Sequence, residues 1–305
     1  MKKLISILFL GTNCLVADFY DIKPIKITKD ITCVIGDFHP PTKQNKGFVS
    51  NICYVNIGDS LVLLDAGPSY NFAKQLDGII KKDYPNKKIS HVVLSNYHDD
   101  RISGAQYFKN IGAKIVGHKS INDDIKNNPK KFERMPSILP KEVYANTTII
   151  NADTLVDNGY KIKGTKKELT ILKLSEKAQE FSDIVILSED DKFLFAGNYI
   201  FNGRLVRFGS HSNVNNWIED LEKIGKMDLK YIVGGHGKEY DNNSYIPTMK
   251  YLKIIKDQTT KAYENDVELD EIVKHVDTSE FNYMNHYADL NGKNIYNYYM
   301  KLEWE

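Results

Sequence analysis

The sequence predicts an α/β protein in which two mixed β-sheets pack face to face with helices outside, a four-layer αββα sandwich, followed by a C-terminal helical extension. Three observations predict this class. Short runs of β-branched residues, each ended by Gly or Asp, dominate the first third of the chain. Strand patterns then alternate with helix patterns, and a second half of the chain repeats the mixture. After about residue 242 the composition changes to helix formers and tyrosine.

The first half begins as a meander of three strands, ITCVIG, GFVSNICYVNIG and DSLVLLDAG. Helical spacing over residues 71–82 and an apolar run over residues 91–94, typical of a strand buried on both faces, change the order to β, α, β. The alternation continues with a helix, a strand and a helix, over residues 104–111, 114–117 and 120–126. Residues 127–140 carry charges and three prolines, which predicts a surface loop.

The second half is dominated by strand patterns, over residues 148–151, 154–157, 160–162, 169–174, 183–188 and 193–196. A helix over 215–226 and a strand over 231–233 follow. The extension carries helical patterns over residues 245–263, 269–275 and 291–300, with aromatic residues expected to pack on the parent domain. The chain therefore divides into a leader (1–17), a sandwich domain (18–242) and a helical extension (243–305).

The leader has the pattern of a secretory signal peptide. Lys2 and Lys3 precede an apolar stretch over residues 4–10, and the run ends at Asp18, just after the small residue Ala17. We expect cleavage after Ala17 and export across the inner membrane to the periplasm. No other apolar run approaches twenty residues, so the pattern predicts no internal membrane span.

The charges of the chain are balanced, with 41 lysines and arginines against 40 aspartates and glutamates and a formal net charge of +1. This balance offers no excess positive charge for a nucleic acid. We therefore expect a small-molecule ligand or substrate as the partner.

Removal of the leader leaves two cysteines, Cys33 and Cys53, in consecutive predicted strands. An exported protein can oxidise such a pair only when the strands place the cysteines opposite each other. Because the sequence does not show that register, we expect two buried free thiols. The chain has neither a CxxC nor a CxxH spacing, which argues against a structural zinc site.

The most informative segment follows the buried strand HVVL and reads NYHDDR from Asn96 to Arg101, the pattern NxHxDR. Here the chain resembles the metallo-β-lactamase superfamily, whose metal-binding loop reads HxHxDH at the same junction between strand and helix. Three further landmarks follow the family's order: LVLLDAG with Asp65, FAGN, and IVGGHG with His236. The resemblance covers most of the mature chain and implies a metallo-β-lactamase fold.

In that family two zinc ions share a hydroxide that attacks a carbonyl or phosphoryl centre, and the resemblance places replaced residues at several ligand positions. Asn96 and Gln179 stand where the first metal has histidines. Asn198, in FAGN, stands where the family has a bridging aspartate, and Arg101 stands where it has a further histidine. Asn and Gln amides are weak zinc ligands, and loss of the bridging carboxylate removes a charge that holds two dications together. A normal dinuclear centre is therefore not expected.

Three ligand positions, His98, Asp100 and His236, keep a metal-binding residue type. In the family His98 serves the first metal, whereas Asp100 and His236 serve the second, so the three need not converge on one ion. A single zinc on Asp100 and His236, completed by water or by Tyr199, stays open. The resemblance also makes Asp65 a supporting residue behind the ligands.

Arg101 allows two interpretations. Unit charges about 4 Å apart interact by about 4 kcal/mol at an effective dielectric near 20, so a guanidinium in the second-metal cavity would oppose a dication and could replace it. However, the NxHxDR pattern is also similar to that of the mono-zinc, carbapenem-hydrolysing lactamases, in which a zinc site survives beside this arginine. Those enzymes have a cysteine on the FAGN strand, where this chain has Asn198 and Tyr199.

The remaining histidines are expected to be packed or exposed polar residues, with His39 and His211 in loops that border the cleft. His286 and Asn294 belong to a C-terminal segment that is similar to the extension of exported zinc hydrolases associated with quinoprotein relay systems. That resemblance makes the tail a candidate site for a protein partner.

Two functions follow from these residues. In the first, the metal site has eroded and the protein is a binding or accessory module whose polar pocket is lined by Arg101, His98, Asp100 and His236. In the second, one zinc on Asp100 and His236, with or without His98, activates a water that hydrolyses an ester, a lactone or a β-lactam. His98 would then act as general base or orient the water, and Asn96 would donate a hydrogen bond to a developing oxyanion. The number of replaced ligands favours the first function.

Overall fold

The computed structural model describes residues 19–209 and 211–304, and these residues form the predicted four layers. The predicted signal peptide at residues 1–17 lies outside them. No helix within the described residues is long and apolar enough to cross a membrane.

The first sheet has seven strands in the spatial order β1 to β7. They are β1 (Pro24–Lys26), β2 (Ile31–Val34), β3 (Ile52–Asn56), β4 (Leu61–Leu64), β5 (Ile89–Leu94), β6 (Lys114–His118) and β7 (Thr154–Val156). Strands β1 to β4 pair antiparallel, and β2 to β4 are the predicted meander, which β1 extends by one strand. Strands β4 to β7 run parallel to one another. The sheet is therefore mixed, as predicted.

The second sheet has five strands in the spatial order β12-β11-β10-β9-β8. They are β8 (Tyr160–Lys163), β9 (Glu168–Leu172), β10 (Val185–Ser188), β11 (Phe193–Phe201) and β12 (Tyr231–His236). Strands β11 and β12 are parallel, and the other neighbours are antiparallel. The prediction of two mixed sheets is confirmed.

Helices cover the outer face of each sheet. Those of the first half are α1 (Tyr70–Asp83), α2 (Asp99–Ile102), α3 (Ala105–Asn110), α4 (Ile121–Asn127), α5 (Arg134–Ile138) and α6 (Lys141–Tyr144). Those of the second half are α7 (Val214–Gly225), α8 (Ile246–Glu264) and α9 (Tyr287–Leu302). Short 3₁₀ helices lie at Pro129–Glu133, Ile272–His275 and Ser279–Phe281.

Three apolar layers hold these elements together, and the alternation along each strand explains them. On β4, Leu61 and Leu63 face the helices, whereas Val62 and Leu64 face the second sheet. The third layer joins the second sheet to the helices α7, α8 and α9 through residues such as Trp217. Because α8 and α9 bury residues in this layer, the C-terminal extension packs directly on the sandwich. Of its predicted aromatic contacts, Tyr298 and Tyr299 are buried there, whereas Tyr283 and Tyr296 are exposed.

Several predicted elements differ in the structure. Residues 127–140, predicted as a loop, contain a 3₁₀ helix and α5, because Met135 is buried in the apolar layer under the first-half helices. The strand predicted over 148–151 is not formed, since Ile149 and Ile150 pack against that same layer and pairing resumes only at β7. The helix predicted over 269–275 is reduced to a 3₁₀ helix. Strand β11 continues beyond residue 196 because it pairs along β12 as far as Phe201.

Cys33 and Cys53 form a disulfide, so the expectation of two free thiols was wrong. Strands β2 and β3 are antiparallel, and their register places Cys33 directly opposite Cys53 with the Cα atoms 4.0 Å apart. Both residues are fully buried between the two sheets. The strand patterns predicted where each cysteine lies but did not determine the register that brings them together.

Candidate functional site

A cavity of about 430 Å³ opens where β5, β11 and β12 end. It is lined by five residues that the sequence singled out, namely His98, Asp100, Gln179, Asn198 and His236. The loop after β5, the loop before β10, strand β11 and the end of β12 therefore bring together residues separated by more than a hundred positions in the chain.

The side-chain amide of Asn198 lies between two other predicted positions. Its Nδ2 atom is 2.9 Å from Nδ1 of His98 and donates to Oε1 of Gln179 at 2.8 Å. The Nε2 atom of Gln179 donates in turn to the carbonyl of Arg207 at 2.6 Å, which orients its oxygen toward Asn198. One amide group with two N–H donors thus satisfies His98 and Gln179 together.

Arg101 is fully buried beneath the cavity. Its Nη1 atom donates to Oδ2 of Asp65 at 2.5 Å and to Oγ of Ser95 at 3.3 Å. Its Nη2 atom donates to Oδ1 of Asn198 and lies 3.5 Å from Nε2 of His236. The ion pair of Arg101 is with Asp65 and not with its sequence neighbour Asp100.

Asp65 accounts for this direction of the Arg101 side chain. Besides the bond from Arg101, its carboxylate accepts hydrogen bonds from the backbone nitrogen of Ser95 at 2.7 Å and from Oγ of Ser95 at 2.8 Å. These donors fix the carboxylate under the cavity floor. The structure thus makes Asp65 the anchor of Arg101.

Asp100 and His236 face each other across the cavity, with Oδ2 of Asp100 3.9 Å from Nε2 of His236. The Nδ1 atom of His236 donates to the carbonyl of Val49 at 2.7 Å, which leaves the lone pair on Nε2. Burial lowers the pKa of His236 well below its usual value, and the charges of Arg204 and Arg101 act in the same direction. The imidazole is therefore neutral.

The carboxyl of Asp100 is ionised. Burial acts to raise its pKa, but the charges of the Arg101 and Arg134 guanidinium groups hold it well below its usual range. A carboxylate thus faces a neutral imidazole in this part of the cavity.

The residues around the cavity do not fit a dinuclear zinc centre. Zinc in proteins binds imidazole, thiolate or carboxylate donors at about 2.0–2.3 Å, whereas Asn198 presents an N–H donor to His98. The guanidinium of Arg101 approaches the lone pair of His236 that would hold a second ion. Among the predicted ligand positions, Asp100 and His236 both keep a metal-binding residue type and face each other.

Two residues named from the sequence lie away from the cavity. Nδ2 of Asn96 donates to Oδ1 of the buried Asp183 at 3.0 Å, and Oδ1 of Asn96 accepts from the backbone of His98 at 3.0 Å. Asn96 is thus occupied in holding the loop and does not face the cavity as an oxyanion donor. Tyr199, one of the two groups left open as completing a metal site, is buried in the apolar layer with α7 and does not line the cavity.

Glu180 is a cavity residue that the sequence reasoning missed. Its carboxylate accepts from Nε2 of His98 at 3.0 Å, from Nζ of Lys131 at 2.7 Å, and from Nε2 of His211 and the hydroxyl of Tyr97 at 3.2 Å. Burial acts to raise the pKa of this carboxyl, but the hydrogen bonds from His211 and His98 and the charge of Lys131 hold it well below its usual range. The one signal in the sequence that could have identified Glu180 was its position next to Gln179, which the resemblance places at a ligand position.

Of the two loop histidines expected to border the cleft, His211 lines the cavity and contacts Glu180. His39 instead is exposed and pairs with Asp37. The helices near residues 130–134 supply Lys131 and Arg134 to the same cavity, which the prediction of a featureless loop did not anticipate.

Comparisons with known proteins agree with this architecture. A family profile described as the Metallo-beta-lactamase superfamily matches residues 45–236. A protein described as metallo-beta-lactamase type 2 from Elizabethkingia meningoseptica is 25% identical over 261 residues, which cover 83% of this chain and 95% of that protein. Among solved structures, a metallo-beta-lactamase from Pontibacter korlensis has a TM-score of 0.62 at 15% identity, with 76% of this chain and 99% of that chain covered. A stereoselective inverting sec-alkylsulfatase from Pseudomonas sp. has a TM-score of 0.72 at 16% identity, with 92% of this chain and 50% of that chain covered.

Proposed function

Because the chain belongs to the metallo-β-lactamase superfamily, we propose that it is an exported member in which hydrogen bonds have replaced the metal centre, and that it binds a small molecule. In this proposal the cavity serves recognition, and hydrolysis by metal-bound water is lost. The C-terminal extension remains a candidate surface for a protein partner.

The observation that carries the proposal is the amide of Asn198. A metal needs lone pairs directed at it, but Asn198 directs an N–H group at both His98 and Gln179 and accepts from Arg101 through its oxygen. The side-chain amide of Asn198 is thus fully occupied by these three neighbours. A metal ion would have to break these hydrogen bonds and lie beside the buried guanidinium of Arg101.

Export is supported by the disulfide between Cys33 and Cys53. Disulfides persist in oxidising compartments such as the bacterial periplasm and are rare in the cytosol. Together with the signal-peptide pattern at residues 1–17, the disulfide favours a periplasmic protein.

The metal content of untagged protein, purified from zinc-replete medium, tests the proposal. We expect less than about a tenth of an equivalent of zinc, iron or manganese by elemental analysis, because the surviving donors are too few for a tight site. The same preparation should hydrolyse a chromogenic β-lactam, an ester and a lactone no faster after zinc addition than with a chelator present.

A second candidate function is a hydrolase with a single metal ion. The 3.9 Å separation of Asp100 and His236 favours it, because two ligands of one ion lie at a comparable distance from each other. One tightly held equivalent of metal, lost when Asp100→Ala and His236→Ala are combined and retained in the control His118→Ala outside the cavity, would overturn the first proposal in favour of this one.

A further inference from the structure

The arginines of this chain are confined to one place. The sequence has 41 lysines and arginines, and only four of these are arginines. Arg134, Arg204 and Arg207 line the cavity, and Arg101 lies beneath it in contact with Asn198. Every other basic position among these 41 is a lysine. The planar guanidinium fork matches carboxylate, sulfate and phosphate groups in a bidentate manner, which a lysine ammonium does not.

The charge of the cavity is also unbalanced. Its lining contains five cationic side chains, Lys130, Lys131, Arg134, Arg204 and Arg207, against three carboxylates, Asp99, Asp100 and Glu180. Asp99 is paired with Arg134, and Glu180 is paired with Lys131. Within residues 19–209 and 211–304, the side chains of Lys130 and Arg207 have no hydrogen bond or ion pair. An anionic ligand would neutralise this excess.

Arg204 has the strongest requirement for a ligand. Its Nε atom is buried and has no hydrogen-bond partner among the described residues. Its Nη1 atom lies 3.4 Å from Nδ1 of His236, but that atom already donates to Val49 and has no lone pair to offer. Burial lowers the pKa of Arg204 to about 10, which still leaves the guanidinium charged at neutral pH. A buried cationic donor without an acceptor is costly unless a ligand supplies one.

The C-terminal extension fixes the backbone that carries Arg204. Asn285 donates from its backbone nitrogen and from Nδ2 to the carbonyl of Gly203, both at 3.0 Å. The carbonyl of Asn285 accepts from the backbone nitrogen of Leu205 at 2.8 Å. The residues on both sides of Arg204 are therefore tied to the tail.

We infer that the cavity binds its small molecule through an oxyanion group, a carboxylate, a sulfate or a phosphate, with the buried guanidinium of Arg204 as the main partner and Arg207 as a second contact. The C-terminal extension acts as the element that positions Arg204. This inference rests on the proposed function and names the chemical class of its ligand.

Isothermal titration calorimetry with sulfate, inorganic phosphate and acetate, at constant ionic strength set with sodium chloride, tests the inference on the full mature chain. We expect saturable binding of at least one of these anions. A preference for sulfate or phosphate indicates a tetrahedral ligand group, and a preference for acetate indicates a planar one. In Arg204→Gln the affinity should fall by about tenfold or more, because charged hydrogen bonds to a buried guanidinium are lost. Arg207→Gln, whose side chain is exposed, should also weaken binding while leaving the fold intact.

The matched control is Lys74→Gln, which removes one positive charge from the exposed face of α1 and should bind the anion as the wild type does. Absence of saturable binding by all three anions, or an equal loss in Lys74→Gln, would overturn the inference. Full affinity in Arg204→Lys would overturn the role given to the guanidinium fork. The metal content of each sample is measured as well, so that failure of this inference can be told from failure of the proposed function. An anion that binds only to samples containing metal is a metal ligand, and that result also counts against the inference.

Discussion

The side-chain Nδ2 atom of Asn198 lies 2.9 Å from Nδ1 of His98, so an N–H donor faces the imidazole of a residue that the family resemblance assigns to the first metal. The same atom donates to Gln179. A hydrogen bond contributes about 1 kcal/mol to stability, far less than a structural metal, yet several of them keep these side chains in a defined arrangement. In the proposed function, these hydrogen bonds take the place of a metal centre.

Restoring the replaced ligands is the most direct prediction from this relationship. We expect the combined variant Gln179→His and Asn198→Cys, at two positions that line the cavity, to bind about one equivalent of zinc, because it regains imidazole and thiolate donors and loses the amide. Elemental analysis after gel filtration measures the change. Adding His98→Ala to this variant should lower the zinc content again.

A folded double variant that still holds no zinc would contradict this prediction. In that case the guanidinium of Arg101, 3.5 Å from Nε2 of His236, would have to be the element that rejects the ion. The triple variant that adds Arg101→Ala distinguishes these possibilities.

The buried ion pair between Arg101 and Asp65 predicts a large effect on stability. Both side chains are inaccessible to solvent. Arg101→Leu would leave the carboxylate of Asp65 buried and unpaired, and we expect the free energy of unfolding to fall by about 3–5 kcal/mol. Urea denaturation measures this change. Asp65→Asn in the same chain should recover part of the loss, since it removes the unpaired charge.

The control for this pair is the exposed ion pair of Lys192 and Asp228. Lys192→Ala should change the free energy of unfolding by less than about 1 kcal/mol, because solvent screens exposed ion pairs. Equal effects of Arg101→Leu and Lys192→Ala would mean that the buried pair is not needed for the fold.

The fold and the cavity were predictable from the sequence to different degrees. Strand and helix periodicity is a local property, so the two mixed sheets followed from it. His98, Asp100 and His236 could be assigned to one cavity because each follows a strand pattern of a recognisable motif. The register that joins Cys33 to Cys53 depends on the turn between two strands and is not encoded in either strand alone.

Long-range partners were the least predictable part of the site. The proximity of Glu180 to Lys131 depends on how the segment before β10 and the helices near residue 131 meet across the cavity. Neither segment carries a motif that points to the other. The ion pair between Arg101 and Asp65 likewise joins residues that are 36 positions apart in the chain.

The disulfide between Cys33 and Cys53 predicts a second effect on stability. The two cysteines are 20 positions apart, and closing a loop of that length lowers the entropy of the unfolded chain by an amount worth about 3 kcal/mol. The double variant Cys33→Ala and Cys53→Ala should therefore unfold at a lower urea concentration than the oxidised wild type. Fully reduced wild type should resemble the double variant, and a reduced protein as stable as the oxidised one would contradict this account.

The buried His118, at the end of β6, predicts a loss of stability in mild acid. Burial, with a contribution from the charge of Lys173, lowers its pKa to about 4, whereas an unfolded histidine has a pKa of about 6.5. Between these values the unfolded state binds a proton that the folded state does not, so stability falls as the pH decreases from about 6.5 to about 4, by up to about 3 kcal/mol.

Urea denaturation at several pH values should show a smaller decrease in His118→Gln. The exposed His275→Gln serves as control and should keep the wild-type pH dependence, and an identical slope in His118→Gln would rule out this residue as the cause.

Removal of the Glu180 carboxylate should strengthen the binding of an anion in the cavity. It is one of three acids that line the cavity, and it accepts a hydrogen bond from Lys131 at 2.7 Å. Glu180→Gln keeps the size of the side chain but removes a negative charge, so the field at Arg204 becomes more positive. We expect the affinity for sulfate to rise by about threefold, the size of one charge interaction across a partly hydrated cavity. Titration calorimetry measures the change, and Glu222→Gln, at a partly exposed position of α7 where Glu222 pairs with Lys253, should leave the affinity unaltered. Weaker sulfate binding in Glu180→Gln would show instead that this carboxylate serves mainly to position Lys131, because a lysine released from its partner would then no longer face the ligand.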